Sequence, residues 1–555
     1  AFSNPYSDTF QMIKPNLRPK LGSSALIAFL SLYSSLVLNY AFFAKVVELH
    51  PFNGTGADIF LYTMPVVLFF LSNFVFHIIA LPFVHKVLIP LILVISAAVS
   101  YQEIFFNIYF NKSMLNNVLQ TTAAESARLI TPGYVLWIVC LGVLPALAYI
   151  AVKVKYRVWY KELLTRLVLA AVSFLCALGI AMLQYQDYAS FFRNNKSVTH
   201  LIVPSNFIGA GVSKYKDWKR SNIPYTQLDM AVVQNRPAGS LRRFVVLVVG
   251  ETTRAANWGL NGYSRQTTPL LAARGDEIVN FPQVRSCGTS TAHSLPCMFS
   301  TFDRTDYDEI KAEHQDNLLD IVQRAGVEVT WLENDSGCKG VCGKVPNTDV
   351  TSLNLPEYCR NGECLDNILL TKFDEALNKN DKDTVLILHT IGSHGPTYYE
   401  RYTEAERKFT PTCDTNEIDK CARATLVNTY DNTVLYVDQF IDKVIRKLEN
   451  RDDLESAVHY VSDHGESLGE NGMYLHAAPY AIAPSGQTHI PMVMWFSKAF
   501  RQHGGIDFQC LKQKAAENEY SHDHYFSTVL GLMDISNSQT YRKDMDILAA
   551  CRRPR

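Results

Sequence analysis

Seven side chains in this chain carry the groups a metal-assisted reaction needs. VVLVVG is followed by Glu251, and TVLIL by His389 and then by IGSHG with His394. AVHYVS is followed by Asp463-His464-Gly465-Glu466, and MYLHAAP supplies His476. Carboxylates and imidazoles gathered in this way suit zinc or a similar divalent ion. A second stretch, RSCGTSTAHSLPCMF, sets Ser286, Thr289, Ser290 and Thr291 among Cys287 and Cys297. A free alcohol is a weak nucleophile, and a divalent cation lowers its pKa as it does that of water. A place at the start of a helix, where unpaired N–H groups favour an anion, adds to this. Spacing alone leaves Thr289, Ser290 and Thr291 as alternatives for the reacting alcohol.

The elements that position these groups follow from hydrophobic periodicity. The runs 243–250, 327–333, 384–390, 457–463 and 490–496 are apolar on both faces and predict buried strands. Between them, NLLDIVQRA and VNTYDNTVLYVDQFIDKVIRKLE change to a helical period. Alternation of this kind predicts an α/β domain with a mainly parallel sheet, whose ligands sit beyond the carboxyl ends of the strands. Glu251, His389, Asp463 and His464 stand at such ends.

The 555-residue chain predicts two or three domains. Its net charge of −1 provides no basic field for nucleic acid. The start is not Met, so residues 1 to about 10 are set aside as a processed end. Apolar stretches near 22–44, 58–83, 87–110, 133–152 and 163–184 approach the length that crosses a bilayer. Lys14, Arg18, Lys20, Lys86, Lys153, Lys155, Arg157 and Lys161 mark the cytoplasmic ends, which exports everything after about 185. The expected division is a five-helix transmembrane domain (1–184) with a long outer loop (101–132), an interfacial connector (185–240) with Tyr185, Tyr188, Phe191, Phe192 and Trp218 as anchors, and an exported domain (241–555). In the loop, Asn117, Thr121 and Glu125 recur every four residues, which places them on one helical face. Ten of the twelve cysteines are exported. The local couples 287/297, 338/342, 359/364 and 413/421, with 510 and 551 left over, predict five disulfides in an oxidising compartment.

VVGETTRAANWGLNGYSRQTTP, SCGTSTAHSLPCMFS, IGSHGPTYYERY and VSDHGESLGENGMYLHAAPY together resemble the lipid A phosphoethanolamine transferases of Gram-negative inner membranes. The likeness is greatest to the Neisseria type, extends to the transferable colistin-resistance enzymes, and covers most of the chain. It implies an alkaline-phosphatase/sulfatase-like domain with Glu251, Thr291, Asp463 and His464 as zinc ligands. One zinc would be firmly bound, with room for a second, and Thr291 would be the nucleophile. His394 and His476 match catalytic positions that contact the phosphoethanolamine or a second zinc, Lys339 matches a substrate-binding lysine, and Asn117, Thr121 and Glu125 match a lipid-facing stripe. His389 matches no assigned role. The resemblance further implies transfer from phosphatidylethanolamine to a lipid A phosphate, resistance to polymyxin, a monomeric inner-membrane enzyme with its catalytic domain in the periplasm, and no nucleic-acid partner. A phosphoglycerol transferase fits the ten exported cysteines less well. A sulfatase would need a CxPxR-type segment, and a catalytically dead receptor would have lost these ligands.

Overall fold

The computed structural model describes residues 19–553 except Thr55, Ala57 and Asn380, so Lys14 and Arg18 lie outside the described residues. The chain divides into two compact units, 1–101 with 135–204, and 102–134 with 205–555.

In the first unit, helices Asp58–Ile79, His85–Phe106, Pro132–Ala151 and Trp159–Leu183 are long and apolar enough to cross a membrane. Ser23–Leu36 and Tyr40–Leu49 are bent by 46° at a short break and make a fifth span if counted together. Among the described residues the count is therefore four or five. Leu136, Leu164 and Leu183 are exposed on the outside of this unit, as expected where the solvent is lipid. Polar groups turn inward instead. Arg166 pairs with Glu162 at 3.0 Å, and Asn73 donates to Ser173 at 2.9 Å. In hydrocarbon such groups must satisfy one another.

The second unit is built on a seven-stranded sheet: β1 (Arg242–Gly250), β2 (Ile278–Phe281), β3 (Glu328–Glu333), β4 (Asn347–Asp349), β5 (Thr384–His389), β6 (Leu454–Ser462) and β7 (Met492–Phe496), in spatial order β2-β7-β6-β1-β5-β3-β4. The sheet is mixed. β6, β1, β5, β3 and β4 pair in parallel, while β7 runs against both of its neighbours. Both faces of the central strand are buried, which explains its unbroken apolar sequence. Val245, Leu247 and Val249 pack in one core with Leu319, Val322 and Val529, while on the other face Phe244 meets Phe373.

Five helices of this unit matter for the site: α1 (Lys112–Gln120), α2 (Ala123–Leu129), α3 (Ser205–Arg220), α4 (Thr291–Met298) and α5 (Arg423–Arg446). The outer loop is not one helix. Thr121 leaves the helical region, and Thr122 caps α2 by accepting from the Glu125 amide at 3.2 Å. A threonine three residues before a glutamate makes a better helix start than a helix interior. The period of four through Asn117, Thr121 and Glu125 therefore does not correspond to one helical face. The connector is also largely helical, in Tyr185–Asn194 and α3.

Candidate functional site

Strand register assembles the centre. β6 pairs with β1 up to Ser462 opposite Gly250, so the next residues, Asp463 and Glu251, emerge side by side, and the Asp463 amide donates to the Gly250 carbonyl at 2.8 Å. Backbone strain marks the same place. Thr252 has φ of 52°, a region costly for a β-branched residue. Gly392 has φ of 49°, and a Cβ there would stand 2.5 Å from the Glu251 carbonyl oxygen.

Glu251, Asp463 and His464 are fully buried. Their ligand atoms lie within 4.8 Å of one another, an arrangement able to hold a metal ion. The Asp463 Oδ1 accepts from the His464 amide at 2.6 Å and the Thr252 amide at 3.3 Å, which leaves Oδ2 directed inward without a partner. Glu251 Oε1 is likewise without a hydrogen-bond partner. The His464 Nδ1 donates to the Gly465 carbonyl at 2.8 Å, since a carbonyl only accepts, so its Nε2 presents a lone pair. That Nε2 lies 3.3 Å from both Glu251 Oε1 and Asp463 Oδ2. Three lone pairs facing one another repel unless a cation stands among them, and this donor set fits zinc. Burial and the Asp463 carboxylate together push Glu251 well above the usual carboxylate range.

Thr291 opens α4, with Ser290 as its cap residue. Its hydroxyl donates to Glu251 Oε2 at 2.9 Å and lies 3.3 Å from His464 Nε2. The neighbouring alcohols point elsewhere. Thr289 donates to the Ala478 carbonyl, Ser286 donates to the Gly288 carbonyl, and Ser290 Oγ is buried without a partner. Five disulfides form in this unit: Cys287–Cys297, Cys338–Cys342, Cys359–Cys364, Cys413–Cys421 and Cys510–Cys551. The first of them closes on α4 itself.

His394 and His476 stand beside the cluster, with ring centroids 5.5 Å apart, and His476 is 4.6 Å from His464. Their environments differ. Burial holds His394 well below its ordinary pKa. Burial opposes charge on His476 too, but the Glu466 carboxylate, 3.2 Å from its Nδ1, more than offsets this and raises it. Glu125 reaches His394 Nε2 at 3.5 Å from α2. Burial, helped by the Asp335 charge, pushes Glu125 up to about 7. Glu125, Asp335, Cys338 and His394 line a cavity of about 510 Å³. Asn117 and Thr121 are not brought to it. Thr121 Oγ1 donates to the Asn117 carbonyl at 2.7 Å. Lys339 donates to Ser336, through its carbonyl and its hydroxyl, each at 2.8 Å.

Two groups, Asp335 and His522, escaped the sequence reading, and His389 was read at a strand end without a role. His389 Nδ1 sits 2.9 Å from both Glu333 oxygens, across the β5–β3 register that pairs these two residues. Burial disfavours its charge, yet Glu333 outweighs this and raises it to about 9. Asp335, two residues beyond β3, forms a second potential metal group with Glu251 and His389. The strand-end rule that found Glu251 would have found it too. His522 left no sequence signal. Its Nε2 donates to the Ser462 carbonyl at 2.9 Å and its Nδ1 accepts from the Cys287 amide at 3.0 Å, tying the alcohol-bearing turn to the end of β6.

Comparison with known proteins places this geometry in a family context. Residues 68–218 match the family model described as phosphoethanolamine transferase EptA/EptB, and residues 243–535 match the sulfatase model. The chain is 44% identical over 540 residues to phosphoethanolamine transferase EptA of Escherichia coli strain K12, covering 97% of this chain and 98% of that one. It is 36% identical over 532 residues to phosphatidylethanolamine transferase Mcr-2 of Escherichia coli, covering 94% and 96%. Its structure superimposes with a TM-score of 0.96 on the integral membrane protein lipooligosaccharide phosphoethanolamine transferase A from Neisseria meningitidis, at 98% identity and covering 97% and 100%.

Proposed function

The chain belongs to the lipid A phosphoethanolamine transferase family, and we propose that it moves phosphoethanolamine from phosphatidylethanolamine to a lipid A phosphate by way of Thr291. The observation that carries this reading is the Thr291 hydroxyl, 2.9 Å from Glu251 and 3.3 Å from the lone pair of His464. Thr291 Oγ attacks the donor phosphorus, and the P–O bond to diacylglycerol breaks. The hydroxyl proton leaves along the hydrogen bond to Glu251. His476, which Glu466 holds toward its charged form, donates a proton to the departing diacylglycerol oxygen. A lipid A phosphate oxygen then attacks the phosphothreonine-type intermediate. The P–Oγ bond breaks and Thr291 regains its proton. His394, kept neutral by burial, orients or deprotonates the acceptor. Zinc held by Glu251, Thr291, Asp463 and His464 would supply Lewis acidity at the phosphoryl oxygens, and Asp335 with His389 offers room for a second ion. Glu125 and Lys339 are the proposed contacts to the lipid substrates at the centre, while Asn117 and Thr121, which do not line its cavity, would meet lipid only away from it.

Five spans in residues 1–184, with the bent pair taken as one, would hold the enzyme in the inner membrane as a monomer. Residues 185–240 would then follow the bilayer surface, and residues 241–555 would work in the periplasm. Both substrates are membrane lipids, which gives such spans a purpose. The product carries an added amine, and the lower negative surface charge would protect cells from polymyxin and other cationic peptides. Mass spectrometry of lipid A from cells with and without the protein tests this reading. An added phosphoethanolamine is expected, and unchanged lipid A from cells that make the protein would refute it.

A further inference from the structure

On another side of α4 lies a second cavity of about 370 Å³, within the range of small-molecule sites. Lys112 and Asn116 of α1, Asp217 and Arg220 of α3, His293 of α4, and Tyr307 to Glu309 form its walls. Residues 291 and 293 project about 200° apart around a helix, so this cavity is separate from the Glu251–Asp463–His464 cluster.

Charges of both signs face it. Lys112 Nζ lies 2.6 Å from Asp217 and 3.5 Å from Glu309, and Arg220 reaches Asp308 at 3.2 Å. Three carboxylates stand against two cations, so a purely anionic ligand meets an unfavourable field and a purely cationic one meets Lys112 and Arg220. Two polar atoms point to what is missing. Asn116, 6% exposed, donates from Nδ2 to Glu309 at 2.9 Å, yet its Oδ1 is buried without a partner among the described residues and can only accept. The Tyr307 hydroxyl is also buried without a partner, its ring edge-on to His293 at 5.0 Å, and it can donate. The ligand must therefore offer a donor at one end and an acceptor at the other. Beside this cavity α3 exposes Ile208, Val212, Tyr215 and Trp218 at helical spacing, an apolar face suited to acyl chains.

We propose that this cavity binds a zwitterionic phospholipid headgroup, apart from the position where the reaction takes place. Its ammonium meets Glu309, Asp217 and Asn116 Oδ1, and its phosphodiester meets Arg220 and the Tyr307 hydroxyl. The assignment rests on the reading above that the enzyme handles phosphatidylethanolamine.

The test uses the full-length chain carrying Thr291→Ala, which binds without turnover, titrated with dihexanoyl phosphatidylethanolamine and, separately, dihexanoyl phosphatidylglycerol. Native mass spectrometry counts bound lipids and calorimetry gives affinities. Two phosphatidylethanolamine sites per chain are expected. Glu309→Gln keeps the acceptor for Asn116 but removes the charge, and should weaken one of these sites tenfold or more while leaving phosphatidylglycerol binding no weaker. Tyr307→Phe should weaken binding of both lipids there. A single site per chain, or Glu309→Gln binding phosphatidylethanolamine as tightly as its parent, overturns the proposal. Should Glu309→Gln lower the melting temperature, Arg220→Gln at the exposed guanidinium takes its place, with a loss for both lipids expected and no loss overturning the proposal. Turnover of dihexanoyl phosphatidylethanolamine by the chain with Thr291 intact reports on the function itself. Its absence would refute the function, whereas normal turnover with unaltered binding in the variants would refute only the second site.

Discussion

Asp463 illustrates how tightly single residues are constrained. One of its oxygens is spent on two backbone amides and the other is held toward His464 and Glu251. Asp463→Asn would turn an N–H group or a weaker acceptor toward the cluster. Zinc affinity should fall on the order of a hundredfold or more, since even outer partners of a metal site matter at that scale. Elemental analysis of dialysed protein checks this, and retained zinc would assign the metal elsewhere. Strand-end logic made Glu251, Asp463 and His464 legible in the sequence, because each follows an apolar run. It could not choose among Thr289, Ser290 and Thr291, whose difference lies in side-chain direction at a helix start. His522 was invisible, since a lone histidine far along the chain carries no pattern until the fold brings it to Cys287.

At the scale of elements, α2 closes one side of the site. Arg128 pairs with Glu363 at 3.4 Å and with Glu400, while Glu125 faces His394. Glu125 has a folded pKa of about 7 against an ordinary 4.5. Between these values the folded chain keeps a proton that the unfolded chain has lost, so stability falls as pH rises through the window and levels off above it. Glu125→Gln cannot ionise. Relative to the parent, it should melt higher at about pH 8 than at about pH 5, by on the order of 1 kcal/mol or more. Thermal melts at both pH values check the sign, and an equal difference at both would refute the shifted carboxylate. The strands at 243–250 and 384–390 were readable because both faces are apolar. The break between α1 and α2 was not, because a polar period of four fits one helix as well as two, and only the Thr122 cap decides.

At the scale of the whole molecule, apolar helices and a sulfatase-like sheet lie in one chain; composition made the apolar half legible, periodicity the sheet, and only the resemblance its sulfatase-like character. The number of spans was less so, since Ser23–Leu36 and Tyr40–Leu49 bend by 46°. A reporter active only outside the cytoplasm should work when fused after Arg220 and fail when fused after Lys155. The reverse pattern would invert the proposed topology. The central claim is covalent transfer through Thr291, and it is tested most directly by incubating the full-length enzyme with phosphatidylethanolamine without acceptor and mapping its peptides by mass spectrometry. The expected result is phosphoethanolamine on Thr291, lost when lipid A is added and absent from Thr291→Ala. Transfer to lipid A that proceeds with no adduct, or with the adduct on another residue, would contradict it.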